Sequence, residues 1–453
     1  MNPKSTACFA SSQSMTFETS VGTFTFFLIA VLFASASHAQ ESHWSQWRGS
    51  NGTGKTSSNA SVTQWDANTN LKWRSALPEA GNSTPVVWGD KIFVTQSFAE
   101  TKERGILCLD RKTGNELWRR GVVYTESEPT HKTNPFCSAS PVTDGQRVIA
   151  WLGSAGLICW DMDGNELWRR ELGRQRHMWG YGSSPILYGD HCIVNFGPGE
   201  REFIISVNKI TGKTNWQVDA LDDTAERQMS GPENDGNANE FQSDQDRSGR
   251  LRGSWNTPII AKVGDRDELI VALPRRLAAF DPATGKSLWH CGGGAPLAYA
   301  SVVEHEGTIV VLGGYNGASM GVRAGGSGDV TETHRLWHKP RDNGWLGTGV
   351  ADQGVVYVCD MGGVLHCIAV QSGEVLWKNR VEGGGTWSSI TQTADGVMHL
   401  LTKTGSTTVF RPNQEKYDEI AVNALDETSN ASVVVAGGEV YVRTDAALWC
   451  FAQ

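Results

Sequence analysis

The chain has 453 residues, of which 51 are glycine and 18 are tryptophan; 20% are charged, and the formal net charge is −9. This composition is typical of many short strands joined by tight turns, with large side chains filling the space between sheets. The negative charge and the lack of Lys and Arg clusters argue against nucleic acid as a partner, because phosphate binding needs clustered cations.

Residues 1–39 are predicted to be a signal peptide. The run FTFFLIAVLFASASHA (24–39) is apolar and then rich in small residues, with Ser37 and Ala39 placed for cleavage. The alternative is an uncleaved membrane anchor, although the run is short for a membrane span. No later segment is long and apolar enough to cross a bilayer. We therefore expect an exported protein, periplasmic or extracellular, with no transmembrane span in the mature chain.

Residues 40–68 are predicted to form an N-terminal arm. Within the arm, Gly49, Gly54, Lys55 and Thr56 match the G-x-x-x-x-G-K-T spacing of a phosphate-binding loop. Such a loop needs a buried strand before it and a helix after it, and neither ESHWSQ nor SSNASVTQWD fits these roles. We therefore predict no nucleotide site in the arm.

A repeated unit occupies residues 69–453. TPVVWGDKIFVTQS...GILCLDRKTGNELWRR (84–120) returns as SPVTDGQRVIAWLGSAGLICWDMDGNELWRR (140–170), and further copies follow. In each unit a short strand opens after Ser/Thr-Pro, Asp-Gly and xTGx turns reverse the chain, and a fourth strand closes on tryptophan. These closing tryptophans are expected to pack between adjacent sheets: Trp118, Trp168, Trp216, Trp289, Trp337 and Trp377.

The two ends of the repeat region complete each other. The last segment (431–453) supplies three strands, and TNLKWRSAL (69–77) supplies the missing fourth, with Trp73 at the closing position. The sequence therefore predicts an all-β fold, an eight-bladed β-propeller of four-stranded antiparallel blades whose last blade is closed by an N-terminal strand. Closing the ring in this way leaves no unpaired edge between first and last strands.

The cysteines are predicted to be structural. Four of them recur in one setting of the repeat, where another unit has Ala279: Cys108, Cys159, Cys367 and Cys450. A position that accepts either Ala or Cys needs a small apolar side chain, which favours buried thiols over disulfides. The sequence has no C-x-x-C-H motif for haem and no paired C-x-x-C motif for zinc.

Aromatic residues recur in the loops that join each fourth strand to the next first strand. Five consecutive loops place an aromatic side chain shortly ahead of the strand, at the predicted mouth of the central funnel. The candidate ligand-binding residues are Trp179, Tyr181, Trp255, Tyr299, Trp345 and Trp387. They could stack a planar cofactor, a sugar or a peptide. The alternative is that they only plug the channel that eight blades leave wide.

The longest insertion, residues 219–254, is acidic and joins the third and fourth units. Between positions 219 and 246 it has nine acidic residues and one basic residue, Arg227. DQDRSG (244–249) begins like a calcium loop, but Trp255 stands where the bidentate Glu is needed. We predict a solvated loop and assign no metal site.

The units resemble the quinoprotein, or PQQ-like, β-propeller repeat. Its LDxxTGxxLW closure stands here as LDRKTGNELW, WDMDGNELW, FDPATGKSLW and VQSGEVLW. The resemblance covers essentially the whole mature chain and implies the propeller fold. Two kinds of relative imply different functions. PQQ-dependent dehydrogenases oxidise alcohols or sugars with PQQ and calcium on the propeller axis, whereas propellers similar to BamB bind partner proteins during outer-membrane β-barrel assembly.

The chain departs from both kinds of relative. It has neither the adjacent Cys-Cys pair of many alcohol-oxidising members nor the lipid-attachment cysteine of the BamB lipoproteins, and no calcium ligand or catalytic aspartate carries over. GASMG (317–321) matches a nucleophile elbow around Ser319, but no helix is predicted after it. The leading hypothesis is therefore an exported binding scaffold with a protein or carbohydrate ligand in the funnel. The alternative is an oxidoreductase that uses PQQ and calcium on an alcohol or sugar, so the sequence assigns neither catalysis nor a cofactor.

Overall fold

The computed structural model describes residues 43–199, 201–220, 252–315 and 317–453. The predicted signal peptide, most of the acidic insertion and the DQDRSG segment lie outside these residues. The described chain is nearly all-β, with one short α-helix, Thr331–His334, and one 3-10 helix, Gly153–Ala155. Within the described ranges, no helix has the length and apolar character needed to cross a bilayer.

Eight four-stranded sheets form the blades of a propeller, which confirms the predicted fold. The strands of each blade are given from the axis outwards. Blade 1 consists of Val86–Trp88, Lys91–Phe98, Glu103–Asp110 and Glu116–Val123, and blade 2 of Val142–Thr143, Arg147–Trp151, Leu157–Asp161 and Glu166–Arg170. Blade 3 consists of Ile186–Tyr188, His191–Phe196, Phe203–Asn208 and Thr214–Asp219, and blade 4 of Ile259–Val263, Arg266–Leu273, Arg276–Phe280 and Ser287–Gly292.

The next three blades repeat this order. Blade 5 consists of Val303–His305, Thr308–Val311, Ser319–Arg323 and Arg335–Lys339, blade 6 of Val350–Asp352, Val355–Cys359, Val364–Ala369 and Val375–Arg380, and blade 7 of Thr391–Gln392, Met398–Leu401, Ser406–Arg411 and Asp418–Ala424. Two short parallel pairings are added: Gly328–Asp329 on the outer strand of blade 4, and Gly253–Ser254 with Leu297–Ala298.

Blade 8 joins the two ends of the chain. Its three inner strands are Val434–Ala436, Glu439–Arg443 and Ala447–Phe451, and its outer strand is the N-terminal Leu71–Ala76. The outer strand pairs antiparallel with its neighbour and places Trp73 opposite Cys450. The ring is therefore closed as the sequence predicts, by hydrogen bonds between the first strand and the last.

The closing tryptophans anchor each blade to the next one. The indole of Trp118 in blade 1 donates to the carbonyl of Met162 in blade 2, at 3.1 Å. Trp289 differs, because blade 5 has no xTGx turn beside it; its indole donates to Glu268 of its own blade, at 2.7 Å. Bonds like that of Trp118 are made by Trp73, Trp168, Trp216, Trp337 and Trp377.

The small residues of the third strands follow from the position of these indoles. Trp118 lies opposite Cys108 across the strand pair, and Trp337 lies opposite Gly321, where an added Cβ would be 2.2 Å from the indole nitrogen. Blade 7 has no closing tryptophan, and there Ala421 faces the larger Val409. Every cysteine among the described residues is buried and free, which confirms the predicted structural role.

A ring of hydroxyl groups ties the eight inner strands together. In each blade one residue lies two positions before the start of the first strand. Its backbone N–H donates to the side-chain hydroxyl of the equivalent residue in the next blade, at 2.8 to 3.3 Å. This hydroxyl ring consists of Thr84, Ser140, Ser184, Thr257, Ser301, Thr348, Ser389 and Ser432, and it closes on itself. The Ser/Thr of the repeat signature therefore fixes the spacing of the blades around the axis.

The N-terminal arm crosses the channel at the face opposite the aromatic loops. Trp44 forms a β-bridge with Val87 in blade 1, and Lys55 forms one with Gln392 in blade 7. Both partners lie near the turns that join first and second strands. No helix follows Lys55 before the outer strand of blade 8, so the segment with phosphate-loop spacing is not followed by the helix of a phosphate-binding loop.

Arg48 fastens the arm to the ring. Its guanidinium is buried and donates to the carbonyls of Thr348 at 3.2 Å, Gly349 at 2.6 Å and Ile390 at 3.4 Å, as well as to Thr53 of the arm at 2.7 Å. Burial lowers the pKa of Arg48 to about 9, and the surrounding carbonyl oxygens provide the partners that a buried cation needs. The arm is thereby joined to blades 6 and 7.

The arm also supplies an aromatic ring where the repeat lacks one. Trp65 packs in the core between blades 7 and 8, with its ring 5.5 Å from Phe451 and 6.0 Å from His399. Its backbone N–H donates to the side chain of Asn423 at 2.9 Å. Because blade 7 has Ala421 in place of a closing tryptophan, the arm fills an interface that the other blades fill themselves.

Candidate functional site

A cavity of about 400 Å³ lies on the propeller axis between the arm and the aromatic loops. All residues of the hydroxyl ring except Ser140 line it, and Trp47 of the arm reaches it from the opposite face. The ring and the arm therefore close its base. We call this cavity the funnel.

The residue two positions before each ring hydroxyl lines the funnel in every blade. Extended chain alternates the direction of its side chains, so this position and the ring position face the same side. We call these eight residues the rim positions, and they are Asn82, Ser138, Gly182, Trp255, Tyr299, Leu346, Trp387 and Asn430.

Four of the six candidate aromatic residues line the funnel. Trp255, Tyr299 and Trp387 occupy rim positions, and Trp179 reaches the funnel from farther along its loop. Tyr315 also lines it, although no pattern in the sequence pointed to that residue. It lies between the second and third strands of blade 5, outside the loops that carry the other candidates, and is 46% exposed.

Tyr181 and Trp345 do not line the funnel. Each lies three positions before its ring residue, and each side chain is buried among the blades. The hydroxyl of Tyr181 accepts the backbone N–H of Cys137 at 3.2 Å, and the ring of Trp345 packs edge-on against His366 with centroids 4.9 Å apart. These two side chains therefore pack within the blades and form no part of the cavity surface.

The aromatic residues of blades 3 to 5 form one continuous surface. The ring centroids of Trp255 and Tyr299 are 4.8 Å apart, those of Trp179 and Trp255 are 6.0 Å apart, and those of Tyr299 and Tyr315 are 5.9 Å apart. These distances are typical of mutually packed aromatic rings. We call these four residues the aromatic wall. Trp387 stands apart from them, beneath the ammonium group of Lys403, which lies 4.7 Å from the centre of its ring.

Amide side chains line the part of the funnel formed by blades 8, 1 and 2. Asn82 and Asn430 occupy rim positions, and Asn134 comes from the loop between blades 1 and 2. The Asn134 amide donates to the carbonyls of Trp179 and Tyr181, at 2.7 and 3.0 Å, which joins this loop to the aromatic wall. We call Asn82, Asn134 and Asn430 the amide wall.

A buried ion pair holds the loop of the amide wall. Arg104 in blade 1 bonds to Glu128 of the loop at 2.7 Å, and both side chains are at most 5% exposed. The guanidinium also lies between the rings of Tyr124 and Phe136, at 4.4 and 3.8 Å from their centres. Because breaking a buried pair leaves an uncompensated charge, this contact fixes the loop that carries Asn134.

The described lining of the funnel is uncharged. It includes no Lys, Arg, Asp or Glu, and its titratable side chains are His131 and two tyrosines. Burial raises the pKa of Tyr299 well above its ordinary value, so this phenol stays neutral. Three buried polar atoms of lining residues have no hydrogen-bond partner: the Tyr299 hydroxyl, Trp387 Nε1 and Asn430 Oδ1. Buried polar atoms without partners are costly, so hydrogen bonds from a ligand would be stabilising here.

Other chemistry predicted or weighed from the sequence finds no support in the described residues. No group of three or more His, Cys, Asp and Glu side chains there is arranged to hold a metal ion. Ser319 lies at the start of a buried strand and accepts the backbone N–H of Gly313 at 3.2 Å, so it is not the exposed nucleophile of an elbow.

PQQ with calcium does not fit the described lining. PQQ carries three carboxylates, which proteins bind with arginine and lysine, and calcium takes carboxylate and carbonyl oxygens at several positions. The lining contains neither cationic side chains nor carboxylates. Its donors and acceptors are amides, hydroxyls and indoles, together with the imidazole of His131.

A family model described as outer membrane protein assembly factor BamB matches residues 53–176, 102–379 and 275–451. The chain belongs to this family. The BamB-family match begins within the arm, at residue 53, and continues through the eight blades to residue 451. A comparison with the sequences of curated proteins gave no match.

Solved structures similar to this BamB-family chain share its propeller fold. Quinohemoprotein alcohol dehydrogenase from Comamonas testosteroni has a TM-score of 0.63 at 14% identity, over 92% of this chain and 81% of that one. BamB from Moraxella catarrhalis has a TM-score of 0.56 at 13% identity, over 84% and 99%. The computationally designed Ika8 protein has a TM-score of 0.53 at 12% identity, over 84% and 100%.

Proposed function

We propose that the protein is an exported, non-catalytic binding propeller whose ligand enters the funnel from the aromatic face. The observation that carries this proposal is the uncharged funnel, in which the aromatic wall and the amide wall line one cavity with a closed base. Its volume of about 400 Å³ falls within the range of about 300–1,000 Å³ for small-molecule sites. Family membership with an outer-membrane assembly factor supports export and a binding role.

An oxidoreductase is the less favoured function. The solved quinohemoprotein alcohol dehydrogenase supports it through fold alone, and fold does not fix chemistry. The uncharged lining argues against it, because neither a quinone tricarboxylate nor calcium finds its usual partners there.

Fluorine NMR of protein labelled with fluorotryptophan tests the binding site. The resonances of Trp179 and Trp387 are assigned with the Trp179→Phe and Trp387→Phe variants, and those of Trp118 and Trp168 serve as controls between blades. A soluble extract of the source organism's cell envelope should shift the two funnel resonances and leave the controls in place. Unchanged funnel resonances, or equal shifts of all four, would contradict the proposal.

A titration with PQQ separates the two functions. Tryptophan fluorescence is followed with and without calcium, and dye-linked oxidation of alcohols and sugars is measured in parallel. We expect neither saturable quenching nor oxidation. Calcium-dependent saturable quenching together with dye reduction would establish the oxidoreductase instead.

A further inference from the structure

Resting on the proposed function, we infer that the funnel binds the uncharged end of a carbohydrate chain. A pyranose ring has an apolar face of C–H groups and hydroxyl groups around its edge. It therefore needs a flat apolar surface close to neutral donors and acceptors. The funnel provides both around one cavity, with the aromatic wall in blades 3 to 5 and the amide wall in blades 8, 1 and 2.

The aromatic wall supplies the stacking surface. Tyr315 stands at the mouth with 46% of its surface exposed, and Tyr299 lies behind it at a centroid distance of 5.9 Å. The rings meet nearly at a right angle, so the wall presents ring faces in two directions. An aromatic surface of this kind accommodates successive sugar rings whose faces are turned relative to each other.

Neutral polar groups supply the hydrogen bonds. Asn430 Oδ1 and Trp387 Nε1 are a buried acceptor and a buried donor without partners, and both side chains occupy rim positions. A sugar hydroxyl both donates and accepts, so it can satisfy either atom. A carboxylate or phosphate group would lose its hydration in this cavity, and the lining has no cation to compensate, since the ammonium group of Lys403 lies outside the lining, over the ring of Trp387. This favours neutral sugars.

The closed base restricts what part of a chain can enter. Trp47 reaches the funnel from the arm, and Arg48 beside it is fastened to blades 6 and 7 by its carbonyl contacts. A chain cannot pass through the channel past these residues. The funnel therefore accepts a chain terminus, and units beyond the first two or three remain outside its volume of about 400 Å³.

The first experiment identifies the chemical class of the ligand. The envelope extract is treated with periodate, which cleaves vicinal diols, and is then quenched and added to the fluorotryptophan-labelled protein. Periodate should abolish the shifts of the Trp179 and Trp387 resonances. Shifts that survive periodate would overturn this inference while leaving the proposed function intact. An untreated extract without effect would contradict both.

The second experiment uses defined sugars. Neutral trisaccharides (cellotriose, maltotriose, xylotriose, laminaritriose and chitotriose) are titrated against the labelled protein, with tri-galacturonic acid as the charged control. We expect at least one neutral trisaccharide to shift both funnel resonances, with little further gain in affinity for longer chains. Tighter binding of the galacturonate would overturn the inference, and so would a panel without effect when the extract's shifts survive periodate.

Variants locate the binding to the two walls. Tyr315→Ala removes the exposed ring, and Asn430→Asp places a charge at a rim position with almost unchanged shape. Each should weaken binding of the neutral sugar roughly tenfold or more. Leu376→Ala, at an exposed position on the outer strand of blade 6, is the matched control and should bind like the unmodified protein. Equal affinity of all three variants would contradict the assignment.

Discussion

The hydroxyl ring and the rim positions lie two residues apart in the same eight loops, yet they differ in character. All eight ring residues are Ser or Thr and make one kind of bond to the next blade. The rim residues range from Gly182 to Trp255, with aromatic side chains in blades 4, 5 and 7 and amides in blades 8 and 1. The residue type at the ring positions is restricted, because a hydroxyl is needed there to hold the eight blades at equal spacing. The rim residues share no single bond of this kind: Trp255 donates to the carbonyl of Gly180 at 2.9 Å and Asn82 to that of Thr133 at 2.9 Å, so their contacts differ around the axis.

This difference separates stability from binding. Changes in the framework, which comprises the hydroxyl ring, the closing tryptophans and the arm, should lower the free energy of unfolding. Changes at exposed funnel residues such as Tyr315 should alter ligand affinity and leave that free energy almost unchanged. The following substitutions test both halves of this comparison.

The largest effect is expected for Trp118→Ala. This removes an indole buried between blades 1 and 2 and its hydrogen bond to Met162, so the free energy of unfolding should fall by about 3–5 kcal/mol in chemical denaturation. The neighbouring Leu117→Ala is the control, because Leu117 is 48% exposed, and it should change stability by no more than about 0.5 kcal/mol. Similar losses for both variants would contradict the role of the closing tryptophans.

Arg48→Met should detach the arm. Four backbone carbonyls lose the guanidinium, but Thr348 keeps the backbone N–H of Ile390 and Thr53 is only part-buried, so at about 1–3 kcal/mol for each buried acceptor left unsatisfied the loss should be on the order of 3 kcal/mol. Limited proteolysis should then cleave the arm faster than in the unmodified protein. Arg119→Met, at an exposed position, is the control. Unchanged protection of the arm would show that Arg48 does not fasten it.

His399→Phe should flatten the pH dependence of stability. Burial lowers the pKa of His399 to about 4, and both ring nitrogens lack partners. Below about pH 6.5 the imidazole of His399 is protonated in the unfolded chain but not in the folded protein. The free energy of unfolding therefore falls by up to about 1.4 kcal/mol for each pH unit as the pH is lowered from 6.5 to 4. Urea denaturation across this range should show a smaller slope for the variant. An unchanged slope would mean that His399 is protonated in the folded protein.

Ser140→Ala tests one link of the hydroxyl ring. It leaves the buried N–H of Thr84 without its acceptor at 2.8 Å, which should cost about 1–3 kcal/mol in thermal or chemical denaturation. Ser140→Thr retains the hydroxyl and should recover most of the loss, because three blades have threonine at this position of the ring. Equal stability of the Ala and Thr variants would show that the ring bond contributes little.

The smallest effect on stability is expected for Tyr315→Ala. The side chain is exposed at the mouth of the funnel, so the free energy of unfolding should change by less than about 0.5 kcal/mol. Measured together with the loss of ligand affinity, this result would place the residue on the binding side of the comparison. A stability loss comparable to that of Ser140→Ala would instead make Tyr315 part of the framework.

Most of the fold could be predicted from the sequence because its signals are local and repeated. The xTGx turns, the closing tryptophans and the missing fourth strand of blade 8 are each visible within a few residues. The hydroxyl ring was not predicted, because seven of its bonds join residues about 40 to 70 positions apart, the eighth joins residues 348 apart, and the Ser/Thr had a sufficient local explanation as a strand opener. The arm's Trp65 was missed for the same reason.

The candidate site was predicted in part. The aromatic spacing was correct in placing Trp255, Tyr299 and Trp387 at the funnel, but the same criterion included Tyr181 and Trp345. Counting from the ring hydroxyl would have separated them, since two positions before it faces the funnel and three positions before it faces the blades. The amide wall was not anticipated, because isolated asparagines in loops carry no distinctive pattern.

The path of the arm has a consequence for the order in which the protein matures. During synthesis residues 43–68 are made before their partners at Thr348, Gln392 and Phe451. The base of the cavity therefore cannot close until these partners have been made. A chain that ends before these partners would have the rim positions of blades 3 to 5 without the arm fastened beneath them.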